Sequence, residues 1–373
     1  MKEIVSRETD EYYMKRALSL AARGMGTTSP NPMVGCVLVR DSRIIGEGYH
    51  QRCGGDHAEI KALKDASSRG EDVQGATAYV TLEPCCHFGR TPPCAQRLVE
   101  EGITRVVAAT SDPNPKVKGG GLAVLREAGI EVSFPCLEAE ARWLNRGFIR
   151  VQMLGRPWVT LKAAVSLDGR MALSNGESKW ITGPEARTEA HQLRASHDAV
   201  LVGVGTVLKD NPELTVRHVD GRSPRRVILD SYLRTPPDVK AVTGEGGCLI
   251  LTVSRDEEKI SSLQSAGATV ICLPADREGH VDLSAAMSCL AQEGILSLMV
   301  EGGPRVLTAF MKKGLCDWLS LFVAPKVMGE GSGLGMGMYF TSVAEALTLK
   351  NLQSRSIGSD LLIEGRFACS PDL

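Results

Sequence analysis

An excess of charge of either sign is missing from this 373-residue chain, where 43 Lys and Arg face 44 Asp and Glu for a formal net charge of −1. That balance argues against a general nucleic-acid binder, which carries a basic surplus. Aromatics make up only 5% of the residues, and no aromatic-rich basic stretch offers an RNA a stacking surface. Nowhere do roughly 18 uninterrupted apolar residues occur, so a membrane span is not expected. The opening MKEIVSRETDEYYMKRALSL has acids and bases throughout and no apolar h-region, which leaves no sign of a secretory leader. A cytoplasmic protein is therefore expected, with its 11 cysteines as thiols or metal ligands rather than a disulfide framework. Repeats of fixed period and low-complexity tracts are also absent, as is a Gly-x-Gly-x-x-Gly turn after a strand in the second half. What remains is a 43% hydrophobic, 23% charged chain of globular composition, long enough for two domains.

The first 150 residues alternate strand and helix patterns. Asp10 to Arg23 has helical apolar spacing, and Val34–Arg40 and Ile44–Tyr49 are short β-rich runs joined by the turn-like Asp41-Ser42. Asp56 reads as an N-cap for a helix from His57 to about Ser68. A strand is expected at Ala76–Leu82, a helix at Cys94–Glu101 behind Pro92-Pro93, a strand at Arg105–Ala109, a helix at Leu122–Ala128 and a strand at Ile130–Phe134. Glu138–Leu154 reads as one helix, broken by Gly155-Arg156-Pro157, and the domain boundary is expected between about residues 146 and 157. The second half continues with strands near Trp158–Val165, Ala199–Val202, Arg226–Leu229, Cys248–Thr252, Thr269–Leu273, Leu298–Val300, Trp318–Val323 and Leu361–Phe367. Helices are expected at Pro184–Arg194, Leu283–Glu293 and Arg305–Lys313, and the Gly-rich run 329–337 is expected to be a loop. Repeated strand–helix units imply an α/β protein with covered sheets.

Chemistry enters with His57-Ala58-Glu59, Pro84-Cys85 and Cys94. Catalytic zinc takes three protein ligands of imidazole and thiolate type and keeps one position open. Cys94 falls in the first turn of a helix, whose positive end is expected to lower its thiol pKa. Glu59 lies about 200° round the helix from His57, a poor co-ligand but a suitable proton shuttle. The order H-x-E followed by P-C-x-x-C marks zinc nucleobase deaminases, although here eight residues separate the two cysteines. Cys86 and His87 are rival ligands. His57, Cys85 and Cys94 are preferred, Cys85 because it follows the proline and Cys94 because of its helix start.

These motifs, with Leu82-Glu83-Pro84-Cys85, Gly89-Arg90-Thr91-Pro92-Pro93-Cys94 and Ser111-Asp112-Pro113-Asn114-Pro115, resemble the deaminase half of the bifunctional riboflavin biosynthesis deaminase/reductases. Pro30-Asn31-Pro32-Met33-Val34-Gly35 resembles that family's substrate loop, placing Asn31 among the substrate-binding residues. The resemblance implies an N-terminal cytidine-deaminase-like three-layer domain over 1–150 and a dihydrofolate-reductase-like domain over 151–373. It also implies zinc-dependent removal of an amino group from a phosphorylated diaminopyrimidine, with Glu59 catalytic. The family usually carries Ser where this chain has Cys86.

The likeness continues through Leu161–Arg170, Gly176–Thr182, Leu193-Arg194, Val202–Pro212, Leu214–Arg217 and Leu229-Asp230-Ser231. Independently, Val300-Glu301-Gly302-Gly303-Pro304 joins an apolar strand to a helix, a turn that offers backbone N–H groups to an anion such as a cofactor phosphate. The resemblance implies an NADPH-dependent reduction, with Ala164, Trp180, Thr206, Asp210, Ser231, Gly302 and Gly303 on NADPH. Ser178, Arg194, Leu214, Arg217 and Glu301 would hold the substrate, the two arginines as planar forks for a sugar phosphate. Lys162 is expected near the reacting carbon and is given no proton-transfer role. Expected partners are phosphorylated pyrimidines and further copies of the chain, with no nucleic acid and no membrane. An alternative is a zinc deaminase of nucleotides or tRNA bases whose second half only binds. A closed structural zinc knot of Cys85, Cys86, His87 and Cys94 is a remoter one.

Overall fold

The computed structural model describes residues 7–86, 93–114, 117 and 119–373. The chain divides into two compact units, Met1–Leu154 with Leu373, and Gly155–Asp372. Among the described residues no helix is long and apolar enough to cross a membrane.

The first unit opens with α1 (Arg7–Ala22), whose Tyr13, Met14, Ala17, Leu20 and Ala21 are buried at helical spacing. Next come the hairpin β1 (Gly35–Arg40) and β2 (Arg43–Tyr49), with Asp41 and Ser42 both at positive φ, as a two-residue connection with matching twist requires. Then follow α2 (Ala58–Ser68), β3 (Thr77–Val80), α3 (Cys94–Glu100), β4 (Arg105–Ala108), α4 (Gly120–Glu127), β5 (Glu131–Ser133), α5 (Glu138–Leu144) and α6 (Arg146–Leu154). The sheet runs β2-β1-β3-β4-β5, with β1 antiparallel to both neighbours and β3, β4 and β5 parallel. Alternation along β1 feeds two cores: Cys36 and Leu38 pack with α2, α3 and α4, while Val37 and Val39 pack with α1 and α5. The result is a helix–sheet–helix sandwich.

Close approach of α2 to β2 depends on two glycines. A Cβ on Gly46 would lie 2.5 Å from the Ala62 carbonyl oxygen, and one on Gly48 would lie 2.4 Å from the Ala62 nitrogen. Gly48→Ala is therefore expected to destabilise the first unit by about 1–3 kcal/mol, read by thermal melting. An unchanged melt would show that α2 has slack against the sheet.

Three expectations for this unit are corrected. Asp56 does not cap α2: the N-cap is His57, with no side-chain bond, and the Asp56 carboxylate instead pairs with Lys64 Nζ at 2.7 Å. The helix expected over 138–154 is two helices. The break falls at Asn145, whose backbone turns out of helical geometry (φ −97°, ψ 19°) and whose amide accepts from Met33 N and donates to Met33 O, each at 2.8 Å. The strands at 76–82 and 130–134 are shorter than expected at both ends.

The second unit comprises β6 (Trp158–Ser166), β7 (Arg170–Leu173), α7 (Pro184–Ala195), β8 (Ala199–Gly203), α8 (Val204–Asp210), β9 (Arg225–Leu229), α9 (Lys240–Thr243), β10 (Cys248–Thr252), α10 (Glu257–Ser265), β11 (Ala268–Cys272), α11 (Leu283–Gln292), β12 (Ser297–Val300), α12 (Pro304–Lys312), β13 (Trp318–Ala324), β14 (Gly331–Gly333), β15 (Leu349–Ile357) and β16 (Asp360–Phe367). Its nine-stranded sheet runs β11-β10-β9-β8-β12-β6-β13-β16-β15, parallel from β11 to β13 and antiparallel beyond. Chain order reverses where β12 inserts between β8 and β6, the place where open α/β sheets receive ligands beyond the carboxyl ends of their strands.

The Gly-rich run is not wholly loop, because Gly331–Gly333 pairs with β7. The helices α8 and α10 and the strand β15 also lie beyond what periodicity showed. β15 reads LKNLQSRSI and is exposed at all but its two ends, so it has no apolar face to betray it.

Candidate active sites

The first unit brings its predicted ligands together. Cys85 lies just past β3, Cys94 opens α3 and His57 caps α2. Their ligand atoms all fall within 4.8 Å of one another, the one such group among the described residues. His57 Nδ1 is 3.2 Å from Cys94 Sγ and 3.6 Å from Cys85 Sγ, and Cys94 N donates to Cys85 Sγ at 3.3 Å. One imidazole and two sulfurs at these spacings form a donor set suited to zinc. Cys86 is turned away, its Sγ directed at the Val117 carbonyl at 3.9 Å, and His87 lies outside the described residues.

A hydrogen bond from Cys94 holds the Cys85 thiol below its usual pKa, whereas Cys94 is pushed up by that same bond, by burial and by Glu59. Glu59 is 4% exposed, and its carboxyl is raised to about 7, chiefly by burial and then by the neighbouring Cys85 charge. A carboxyl titrating there can both take and give a proton near neutrality.

Asn31 borders this site through a histidine that motif reading passed over. His50 Nδ1 lies 3.0 Å from the Asp56 carbonyl and therefore carries a proton there, so Nε2 accepts from Asn31 Nδ2 at 3.0 Å. Burial lowers the His50 pKa, which keeps that tautomer neutral. Its place at the end of β2, seven residues before His57, was the available signal.

In the second unit the predicted cofactor residues gather along the carboxyl ends of adjacent parallel strands. Ala164 is on β6 beside Phe322 of β13, Thr206 and Asp210 are on α8 after β8, Ser231 follows β9, and Gly302 and Gly303 follow β12. Gly302 and Gly203 both face Val306: a Cβ on either would come within 2.8 Å of that side chain. Gly303 is the N-cap of α12, and a Cβ there would meet nothing within 4 Å. The starts of α8 and α12 thus lie on neighbouring strands, with Gly303 open at the second, a cradle that fits a phosphate-bearing cofactor. Ser231 Oγ accepts from Val281 N at 3.1 Å, and Asp210 is 3.1 Å from Lys179 Nζ. Trp180 is 65% exposed, with the Arg187 guanidinium 4.6 Å above its ring, and Ser178, two residues before it, is half-buried.

The expected substrate residues form a charged cluster. Arg194 donates to Glu301 Oε2 and to the Thr215 carbonyl, each at 2.6 Å, and Lys162 Nζ is 3.7 Å from Glu301 Oε1. Burial alone would raise the Glu301 carboxyl, but Arg194 and Lys162 outweigh it and hold the pKa below the usual value. Arg217 donates to Glu213 Oε2 at 2.6 Å and, through its backbone N, to His191 at 3.3 Å. His191 is lowered to about 4 by burial and by the two arginines. Leu214 is buried, with φ at 58°. Both arginine forks therefore already have partners within the protein.

Comparison with known proteins matches both units. The model of the cytidine and deoxycytidylate deaminase zinc-binding region matches residues 7–110, and that of the RibD C-terminal domain matches 157–363. The riboflavin biosynthesis protein RibD of Aquifex aeolicus is 46% identical over 358 residues, 96% of this chain and 98% of that one. A solved RibD structure from Acinetobacter baumannii covers 97% of this chain and 100% of its own at 38% identity, with a TM-score of 0.87. A structure from Thermotoga maritima, titled a diaminohydroxyphosphoribosylaminopyrimidine deaminase/5-amino-6-(5-phosphoribosylamino)uracil reductase, is 38% identical with a TM-score of 0.86, covering 97% and 99%. The fold is accordingly cytidine-deaminase-like in the first unit and dihydrofolate-reductase-like in the second. The chain belongs to the RibD family, the bifunctional zinc-dependent deaminases and NADPH-dependent reductases of riboflavin biosynthesis.

Proposed function

We propose that residues 1–150 hydrolytically remove the 2-amino group of 2,5-diamino-6-ribosylamino-4(3H)-pyrimidinone 5′-phosphate. Residues 151–373 then reduce the ribosyl group of 5-amino-6-(5-phosphoribosylamino)uracil to ribityl. The observation that carries this reading is the convergence of His57, Cys85 and Cys94 beside the buried Glu59. Zinc held by those three would supply hydroxide near neutral pH. Glu59 would take the proton that the attacking water gives up and deliver it to the ring nitrogen, then pass the proton of the newly attached hydroxyl to the departing amine, so that neutral ammonia leaves and the ring carbon becomes a carbonyl. Asn31, steadied by His50, is the substrate-facing amide of this site.

In the second unit NADPH supplies the hydride, and the protein supplies position. Ala164, Trp180, Thr206, Asp210, Ser231, Gly302 and Gly303 are assigned to NADPH, and Ser178, Arg194, Leu214, Arg217 and Glu301 to the substrate. The cradle of helix starts and the Arg194–Glu301 pair support that assignment. One experiment tests both halves: product mass and 340 nm absorbance with the diaminopyrimidine phosphate, with and without NADPH. Deamination without NADPH, and NADPH consumption only once the deaminated product is present, are expected. A chelator should stop the first and spare the second, supplied with its own substrate. Consumption of NADPH unaffected by the pyrimidine would overturn the reductase half.

A homo-oligomer is part of the same reading. β15 ends the nine-stranded sheet with an outer edge and two exposed faces, the kind of edge that proteins cover. Light scattering at micromolar concentration checks it, and a monomer there would exclude it. Its free thiols fit a cytoplasmic setting.

A further inference from the structure

Two residues before the Cys85 ligand lies a carboxylate with an unusual set of partners. Glu83 is 3% exposed. Its Oε1 accepts from Gly121 N at 3.0 Å and Leu122 N at 3.2 Å, and its Oε2 accepts from Gly119 N at 2.9 Å and Asp112 N at 3.2 Å. All four donors are backbone groups: three at the start of α4, one in the loop after β4. The Glu83 backbone N in turn donates to the Thr110 carbonyl at 2.9 Å. One side chain thus ties the end of β3, the loop after β4 and the first turn of α4 into a single knot.

Contact between that knot and the ligand loop is direct. A Cβ on Gly121 would sit 1.8 Å from the carbonyl oxygen of Pro84, so α4 begins against the peptide that carries Cys85. The Cys85 carbonyl in turn accepts from Ala95 N at 3.1 Å, which links the same loop to the helix start bearing Cys94. An ordinary helix cap satisfies one or two donors near its own helix. This carboxylate reaches α4 from the strand side and fixes the chain from which a metal ligand projects.

We propose that Glu83 is a positioning residue for the metal site: it sets where the Cys85 sulfur stands relative to His57 and Cys94 and has no part in proton transfer. The inference rests on the assignment of those three residues as metal ligands.

Cobalt(II) serves as the probe, because its visible bands report thiolate ligation and tetrahedral geometry without turnover. Glu83→Ala is expected to bind cobalt at least tenfold more weakly, with shifted visible bands. At saturating metal its deaminase kcat should fall at least tenfold while KM changes less than threefold, with the reductase rate on deaminated substrate within twofold of wild type. Glu83→Gln keeps one acceptor oxygen and is expected to regain part of the lost affinity. Should Glu83→Ala fail to fold, Glu83→Gln decides: a folded protein with severalfold weaker cobalt binding supports the proposal. Wild-type affinity and bands in a folded variant of either kind overturn it. A wild-type chain that binds cobalt through thiolates but leaves the diaminopyrimidine intact would sink the deaminase reading alone, since the cobalt comparison would still stand.

Discussion

Glu59→Gln is expected to lower deamination by about 10²–10⁴-fold, the usual contribution of a positioned general acid–base group. Zinc content should be unchanged, because Glu59 is not one of the three clustered donors. Gln fills nearly the same buried space but cannot carry a proton at any working pH. The variant therefore separates proton transfer from folding and from metal loading. The pH profile adds a second reading. With the Glu59 carboxyl raised to about 7, chiefly by burial, a bound cation and the substrate will move the working value, but a limb belonging to Glu59 should vanish in the variant. Reduction of pre-deaminated substrate serves as the internal control and should stay at the wild-type rate. Undiminished deamination by a zinc-loaded Glu59→Gln protein would remove this carboxylate from the chemistry.

Glu301→Ala is expected to have the largest effect in the second unit. It removes a carboxylate paired with both Arg194 and Lys162 and leaves an Arg194 side chain that is only 11% exposed without its counter-charge. Breaking a buried ion pair in this way costs about 3–5 kcal/mol, or roughly 10 °C of melting temperature in a unit of this size. NADPH oxidation with the deaminated substrate should fall to background and deamination should persist. Acidity gives a sharper signature. Because the folded pKa of Glu301 is depressed, its contribution is fully present above the ordinary carboxylate value and is lost as pH falls through the folded value. Wild type should therefore lose part of its stability advantage over Glu301→Ala in that acid window. Stability curves that coincide at every pH would show that the pair contributes nothing to folding.

Much of this was legible before any coordinates, for reasons that can be traced to particular residues. Strands such as Cys248–Thr252 and Ala199–Gly203 are buried along their length, and continuous apolar runs of that kind read plainly. His57, Cys85 and Cys94 were legible because metal chemistry restricts residue type as well as spacing. What stayed hidden depends on distant partners. Asp56 resembles a helix cap in sequence, yet Lys64 takes its carboxylate. Asn145 gives no local hint that Met33 will claim its amide. Arg194 and Arg217 read as free forks for a phosphate, and only the folded chain shows Glu301 and Glu213 already holding them.

The Asn145 clip has a practical consequence for anyone dividing the molecule. The region shared with cytidine and deoxycytidylate deaminases stops at residue 110, which invites a gene fragment cut there. Such a piece would lose the amide that fastens Met33 from both sides, two positions from Asn31, and the segment between α1 and β1 would come untied. A self-sufficient amino-terminal half has to be cloned beyond Asn145, with α6 included.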